Sequence, residues 1–161
     1  KNRLIDSTEG EITLSKQLSY NEATSQVFVK KSRLFLVGGF DEKFVSCQDY
    51  DLWTRLMIKF GSAYRIAVPT YIINDSGSSE RMINNVDSVK GYHQYLEKHQ
   101  HLMNTVNIKN QKFMKIRRTR RVLTFNELCA QIGTGYMLSK LRYFLSSNFV
   151  IIKKLHSKYY K

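Results

Sequence analysis

The 161 residues suffice for one hydrophobic core rather than two, and a content of 42% hydrophobic and 12% aromatic residues excludes a disordered chain. No run approaches the roughly eighteen apolar residues of a membrane-spanning helix, and no secretory signal opens the sequence, whose first residue, Lys1, leads us to expect a piece of a longer protein. The net charge of +13 is lopsided: residues 1–108 hold 13 Lys/Arg against 12 Asp/Glu, and residues 109–161 hold 13 against Glu127 alone, an asymmetry that points to an anionic partner such as a membrane, nucleic acid or polyanionic substrate.

In chain order, "IDSTEGEITL" reads as two short extended pieces around a turn at Gly10. "SQVFVK" alternates like a strand. Ser32 is then placed to cap a short helix that Gly38 and Gly39 stop. "FDEKFVS" is a loop. The spacing of Leu52, Trp53, Leu56, Met57 and Phe60 predicts a helix from Asp49 to Phe60, closed by Gly61. "AYRIAVPTYIIND" is strand-like, with the single proline, Pro69, at an edge or break. "SGSSER" is a turn in which Ser78 or Ser79 caps a helix over roughly residues 80–103. The basic segment "KNQKFMKIRRTRR" comes next, and then a helical stretch bearing Leu128, Ile132, Leu138, Leu141, Phe144, Leu145 and Phe149. Cys47 and Cys129 lie far apart without metal-ligand spacing, which fits reduced thiols in a cytosolic protein, a single disulfide being the lesser reading.

The sharpest chemical question is Asp49. At 3.6 residues per turn it shares a helix face with Trp53, Leu56 and Phe60, where a carboxylate needs a reason. One reading is structural. Ser46-Cys47-Gln48-Asp49 has the spacing of a capping box, Asp49 and Asp51 complement the helix N-terminus, and Asp51 pairs with Arg55 on the wet face. The other is catalytic: a carboxylate in the first turn, kept ionised by the helix dipole, projects into a cleft as a general base. Spacing alone leaves both open.

The stretch "TSQVFVKKSRLFLVGGFDEKFVSCQDYDLWTRLMIKFG" resembles the acceptor-side half of family 2 glycosyltransferases of the GT-A fold. The matching features are the basic pair Lys30-Lys31, then Gly38-Gly39-Phe40-Asp41-Glu42, then Gln48-Asp49-Tyr50-Asp51-Leu52-Trp53-Thr54-Arg55. The family has Glu-Asp where this chain has Gln48-Asp49, and its Asp is the base of an inverting transfer from a nucleotide sugar. The resemblance therefore implies Asp49 as the catalytic residue. It also implies Gln48, Asp51, Trp53, Arg55, Gly39, Phe40 and Asp41 as acceptor-binding or site-shaping residues, Trp53 being read as core. Farther on, Tyr71 and Ser78/Ser79 fit the family pattern, but Ile72 and Asn74 replace its Arg and His, so contacts from those positions are not carried over. The processive-synthase signature Gln-x-x-Arg-Trp is missing, which favours single additions.

The resemblance implies a divalent metal, Mg²⁺ or Mn²⁺, with no ligand in this chain. The family's Asp-x-Asp motif has no counterpart, and "LIDSTEGEI" is similar to the strand and turn on the C-terminal side of that motif. The chain is thus expected to start downstream of the metal site and to be inactive by itself. The expected fold is α+β: a partial GT-A domain of short strands and amphipathic helices over 1–108, then a basic helical extension over 109–161. The expected function is sugar transfer from a nucleotide-sugar donor to a glycan or lipid-linked acceptor in cell-surface polysaccharide biosynthesis. Its expected location is cytoplasmic, peripheral on the inner face of the cytoplasmic membrane. Lys112, Lys115, Arg117, Arg118, Arg120 and Arg121 are the candidate membrane or anion contacts; solvation of a helix face is the plainer reading of that run, and no zinc, helix-turn-helix or RNA-recognition pattern supports nucleic acid. The competing hypothesis is a non-enzymatic basic module that binds membrane or nucleic acid. His93, His99 and His101 read as solvated helix residues.

Overall fold

The computed structural model describes residues 8–24, 27–68 and 86–149. Pro69, Tyr71, the 78–79 cap and the strand-like piece before Ser7 lie outside these residues. The chain forms two compact units, 1–102 and 103–161, so the single core implied by chain length is replaced by two smaller ones. Among the described residues the architecture is mixed and dominated by helices, with one small antiparallel sheet, in keeping with the expected α+β class.

In the first unit β1 (Gly10–Ile12) pairs antiparallel with β2 (Ala63–Arg65), Ile12 opposite Ala63. Between them come α1 (Leu14–Ser19), α2 (Lys31–Leu36) and α3 (Gln48–Phe60), and α4 (Val86–His99) lies beyond β2 in the chain. Thr13 caps α1 through its side chain. The alternating run before α2 keeps its two-residue period without a ladder: Val27 and Val29 pack on the core, whereas Phe28 is 98% exposed. Helix α2 begins at Lys31 with no side-chain cap, so Ser32 does not start it. It ends where expected. Gly38 (φ 78°) and Gly39 (φ 65°) are both left-handed, the backbone state that glycine adopts without strain, and the Gly39 amide donates to the Leu34 carbonyl at 2.9 Å.

Helix α3 is the centre of this unit and is covered on two sides. Leu52, Trp53, Leu56 and Met57 join Ile12 and Ala23 in the core, with Leu14, Leu34 and Phe60 packed against them. Tyr50, Asp51 and Thr54 are buried on the other side. There α4 brings Ser88, Tyr92, Tyr95 and His99, a stripe at i, i+4, i+7, i+11 that is buried throughout. Tyr50 and Tyr95 stack with centroids 3.7 Å apart. Gly61 ends α3 as foreseen, its amide donating to the Met57 carbonyl at 3.0 Å.

The second unit holds α5 (Thr105–Arg118), α6 (Phe125–Cys129) and α7 (Met137–Asn148). Asn104 with Asn107, and Thr124 with Glu127, form capping boxes on α5 and α6. The helical stretch expected after the basic run is two helices, because Gly133 and Gly135 both sit at positive φ and break it. Among the described residues of this unit Phe113, Ile116, Leu123 and Leu128 are the buried hydrophobic ones. The unit begins at Met103, so the change in charge at 108/109 falls in the first turns of α5 rather than at a boundary.

Candidate functional site

The loop from Gly38 to Cys47 and the first turn of α3 carry most of the predicted site residues, and their positions are set by a few hydrogen bonds. Cys47 precedes α3 in the left-handed conformation (φ 63°) without a side-chain cap. The expected capping box is therefore not formed. Ser46 points instead to α4, its Oγ donating to the Asp87 carbonyl at 2.8 Å. Gly91 leaves room for this approach: a Cβ there would lie 2.2 Å from Ser46 Oγ. Gln94 clasps the same loop, accepting from the Val45 amide at 3.2 Å and donating to the Lys43 carbonyl at 2.9 Å.

Asp51 is the most heavily bonded side chain here. It is fully buried, which corrects the expectation of an Asp51–Arg55 pair on a wet face: the pair exists, and α4 covers it. Its Oδ2 accepts from Arg55 Nε at 2.8 Å, and its Oδ1 accepts from Lys98 Nζ at 3.0 Å with His99 Nε2 at 2.8 Å. Burial by itself pushes this carboxyl up, but the bonds from His99, Lys98 and Arg55 outweigh it and hold its pKa at about 2. His99 is only 3% exposed, so the expectation of a solvated histidine fails. His93 and His101 are exposed as expected.

Arg55 and Lys98 carry this anchoring outward. Arg55 Nη1 donates to the Val37 carbonyl and Nη2 to the Gly39 carbonyl at 2.7 Å, fixing the end of α2. Lys98 reaches Asp41 Oδ2 at 2.8 Å, and that bond, with one from the Lys43 amide, lowers the Asp41 pKa. Gln48 donates to the Phe44 carbonyl at 3.2 Å. Trp53 is core, as read from the sequence; its Nε1 donates to the Thr24 carbonyl at 2.7 Å and its ring meets Phe40 edge-on at 6.3 Å. An open hollow of about 560 Å³ is lined by Val37, Gly38, Phe40, Asp41, Glu42, Lys43, Arg55 and Lys98. It brings together Phe40, Asp41 and Arg55. Asp49, Gln48 and Trp53 are not in its lining.

Asp49 differs from Asp51 in every respect. It is half-buried, and among the described residues its carboxylate has one hydrogen-bond partner, Asn21, whose Nδ2 donates to Oδ2 at 3.1 Å. Asn21 is held in turn by Gln17, which donates to its Oδ1 at 3.0 Å while accepting from the Ala23 amide at 3.0 Å. This amide relay from α1 aims the carboxylate and, among the described residues, leaves its other oxygen unbonded. Sequence reasoning missed Gln17 and Asn21, since nothing local marks two amides 28 or more residues upstream of an acid. His99 was more accessible: its spacing from Tyr92 and Tyr95 is that of the buried stripe.

In the second unit α5 carries Lys112, Lys115, Arg117 and Arg118; Arg120 and Arg121 lie just past its end. All are exposed except the half-buried Arg118. Arg121 pairs with Glu127. Among the described residues no group of three or more His, Cys, Asp and Glu side chains is arranged to hold a metal ion, and no helix is long and apolar enough to cross a membrane. No family model matches the chain, and neither does any curated protein or solved structure.

Proposed function

We propose that this chain is the acceptor side of an inverting GT-A glycosyltransferase, with Asp49 as general base. The reading is supported by the resemblance over residues 24–61 and by one structural contrast. Two carboxylates lie two residues apart on α3; Asp51 is saturated by Arg55, Lys98 and His99, whereas Asp49 is steered by a single amide and, among the described residues, keeps an oxygen for another partner. A base needs such an oxygen within hydrogen-bond reach of the proton that it takes.

In the reaction, Asp49 takes the proton of an acceptor hydroxyl as that oxygen attacks the anomeric carbon of a nucleotide sugar. The bond to the nucleoside diphosphate breaks, its electron pair leaves on the phosphate, and the configuration at the sugar carbon inverts. Acceptors of the proposed class are glycans or lipid-linked glycans. The Mg²⁺ or Mn²⁺ implied by the resemblance supplies charge neutralisation of the diphosphate when bound, and the described residues offer no cluster to hold it. Asp51, Arg55, Lys98 and His99 act as scaffold: they fix the Gly38–Cys47 loop and the pitch of α3, and hence the position of Asp49.

The test is turnover by the complete translated protein, read as nucleoside diphosphate released from a panel of nucleotide sugars with lipid-linked acceptors. Asp49→Asn is expected to lower turnover by about 10²–10⁴ with donor binding unchanged. Wild-type turnover in that variant would end the assignment of the base.

A further inference from the structure

Helix α7 turns its leucines outward and a lysine inward. At 100° per residue Leu138, Leu141 and Leu145 share one face, with Arg142 beside them. Leu138 is 63% and Leu141 44% exposed, Leu145 is half-buried and Arg142 is exposed. The opposite face carries Lys140, fully buried, whose Nζ donates to Asn110 Oδ1 at 2.6 Å and to Thr134 Oγ1. Tyr143 is on that side too, donating to the Arg121 carbonyl at 2.8 Å. A helix that faced only water would have the reverse order, because exposing leucine and burying an ammonium group are both unfavourable there. Phe125 of α6 extends the apolar surface: it is 66% exposed, and its ring meets Phe144 of α7 edge-on at 6.4 Å.

We propose that this face of α7, together with Phe125, docks on the surface of an anionic phospholipid bilayer. The occupant is chosen by charge. Residues 109–161 hold 13 Lys/Arg against Glu127, and Glu127 is already paired with Arg121. A second copy of the chain would bring the same positive charge against itself. A nucleic acid would meet the cations but leave the leucines in water. A bilayer meets both needs: the leucines and Phe125 enter the boundary between headgroups and acyl chains, while Arg142 and the exposed lysines and arginines face lipid phosphates. This surface does not involve Asp49, so it stands or falls apart from the sugar-transfer reading.

The experiment is flotation of the full chain with vesicles of phosphatidylcholine, alone or mixed with phosphatidylglycerol. Binding is expected only to the mixed vesicles, weakening as salt is raised. The surface double variant L138S/L141S is expected to keep its far-ultraviolet circular dichroism and to bind roughly tenfold or more weakly. In a separate variant, Leu138→Trp, the added emission is expected to shift to the blue when mixed vesicles are added. The proposal is overturned if wild type fails to float with mixed vesicles, if L138S/L141S floats as well as wild type, or if the Leu138→Trp emission does not move. It is equally overturned by a dimer that L138S/L141S dissociates, or by tighter binding to duplex DNA than to vesicles with no effect of the double variant.

Discussion

Among the described residues each unit buries one charged side chain completely, and the two solve the problem in opposite ways. Asp51 on α3 is surrounded by Arg55, Lys98 and His99, so the cost of leaving water is offset by charge and its pKa is held at about 2. Lys140 on α7 meets the neutral oxygens of Asn110 and Thr134 and the face of the Phe113 ring, whose centroid is 5.8 Å from its Nζ, and burial lowers its pKa to about 8. The first arrangement ties two helices and a loop together and tolerates no missing member. The second is a local concession: the ammonium group is bonded but not neutralised, and its removal should relieve more than it breaks.

Deleting one member of the first network is the largest perturbation we expect. Asp51→Ala takes from Arg55, Lys98 and His99 their shared buried acceptor and should lower stability by about 3–5 kcal/mol, read as the urea midpoint. The same contact has an acid signature. The Asp51 pKa is about 2 folded against 3.8 as its ordinary value, so its contribution is complete above pH 3.8 and is lost as pH falls towards 2. Asp51→Asn should therefore flatten part of the acid limb that Asp41 and Glu127, also lowered, keep sloping.

Lys140→Met tests the other side of the comparison. Between pH 8 and 10.5 the unfolded chain holds a proton that the folded lysine has given up, so wild-type stability should rise with pH there, by roughly 3 kcal/mol in full. The variant should lack that rise and match or exceed wild type at pH 7. Loss of more than about 2 kcal/mol at pH 7 would show that the bonds to Asn110 and Thr134 outweigh the burial.

Two smaller changes sharpen the contrast. Gly91→Ala places a methyl group against Ser46 and should cost about 1–3 kcal/mol, because α4 must back away from the loop that its neighbours Gln94 and Lys98 hold. Asp49→Asn, two residues from Asp51, should change stability by less than about 1 kcal/mol, since it alters one part-exposed hydrogen bond. A loss as large as that of Asp51→Ala would make Asp49 a structural residue.

Much of this was legible in the sequence because it depends on near neighbours. The limits of α2 and α3 are set by Gly38, Gly39 and Gly61, whose backbone angles other residues adopt only with strain. The core face of α3 is set by the spacing of Leu52, Trp53, Leu56 and Met57. Other readings failed where a distant element competed with a local one. Ser46 had the spacing of a cap but bonds to α4, 41 residues on, and Asp51 with Arg55 had the spacing of a solvated pair but is roofed by the same helix. His99 looked like one of several polar residues near the end of a helix until Tyr92 and Tyr95 were seen to share its stripe.

The sequence by itself determined where α3 runs, which glycines stop α2 and α3, and that positive charge gathers in the last third of the chain. All of these depend on bonds within a few residues or on composition. Only the tertiary structure decided which faces are covered. Whether one of two neighbouring carboxylates on α3 is sealed among cations or left with an open oxygen depends on α4 and on Gln17 and Asn21, groups some 28 to 48 residues away along the chain. A periodic pattern specifies a face, and packing specifies what meets it.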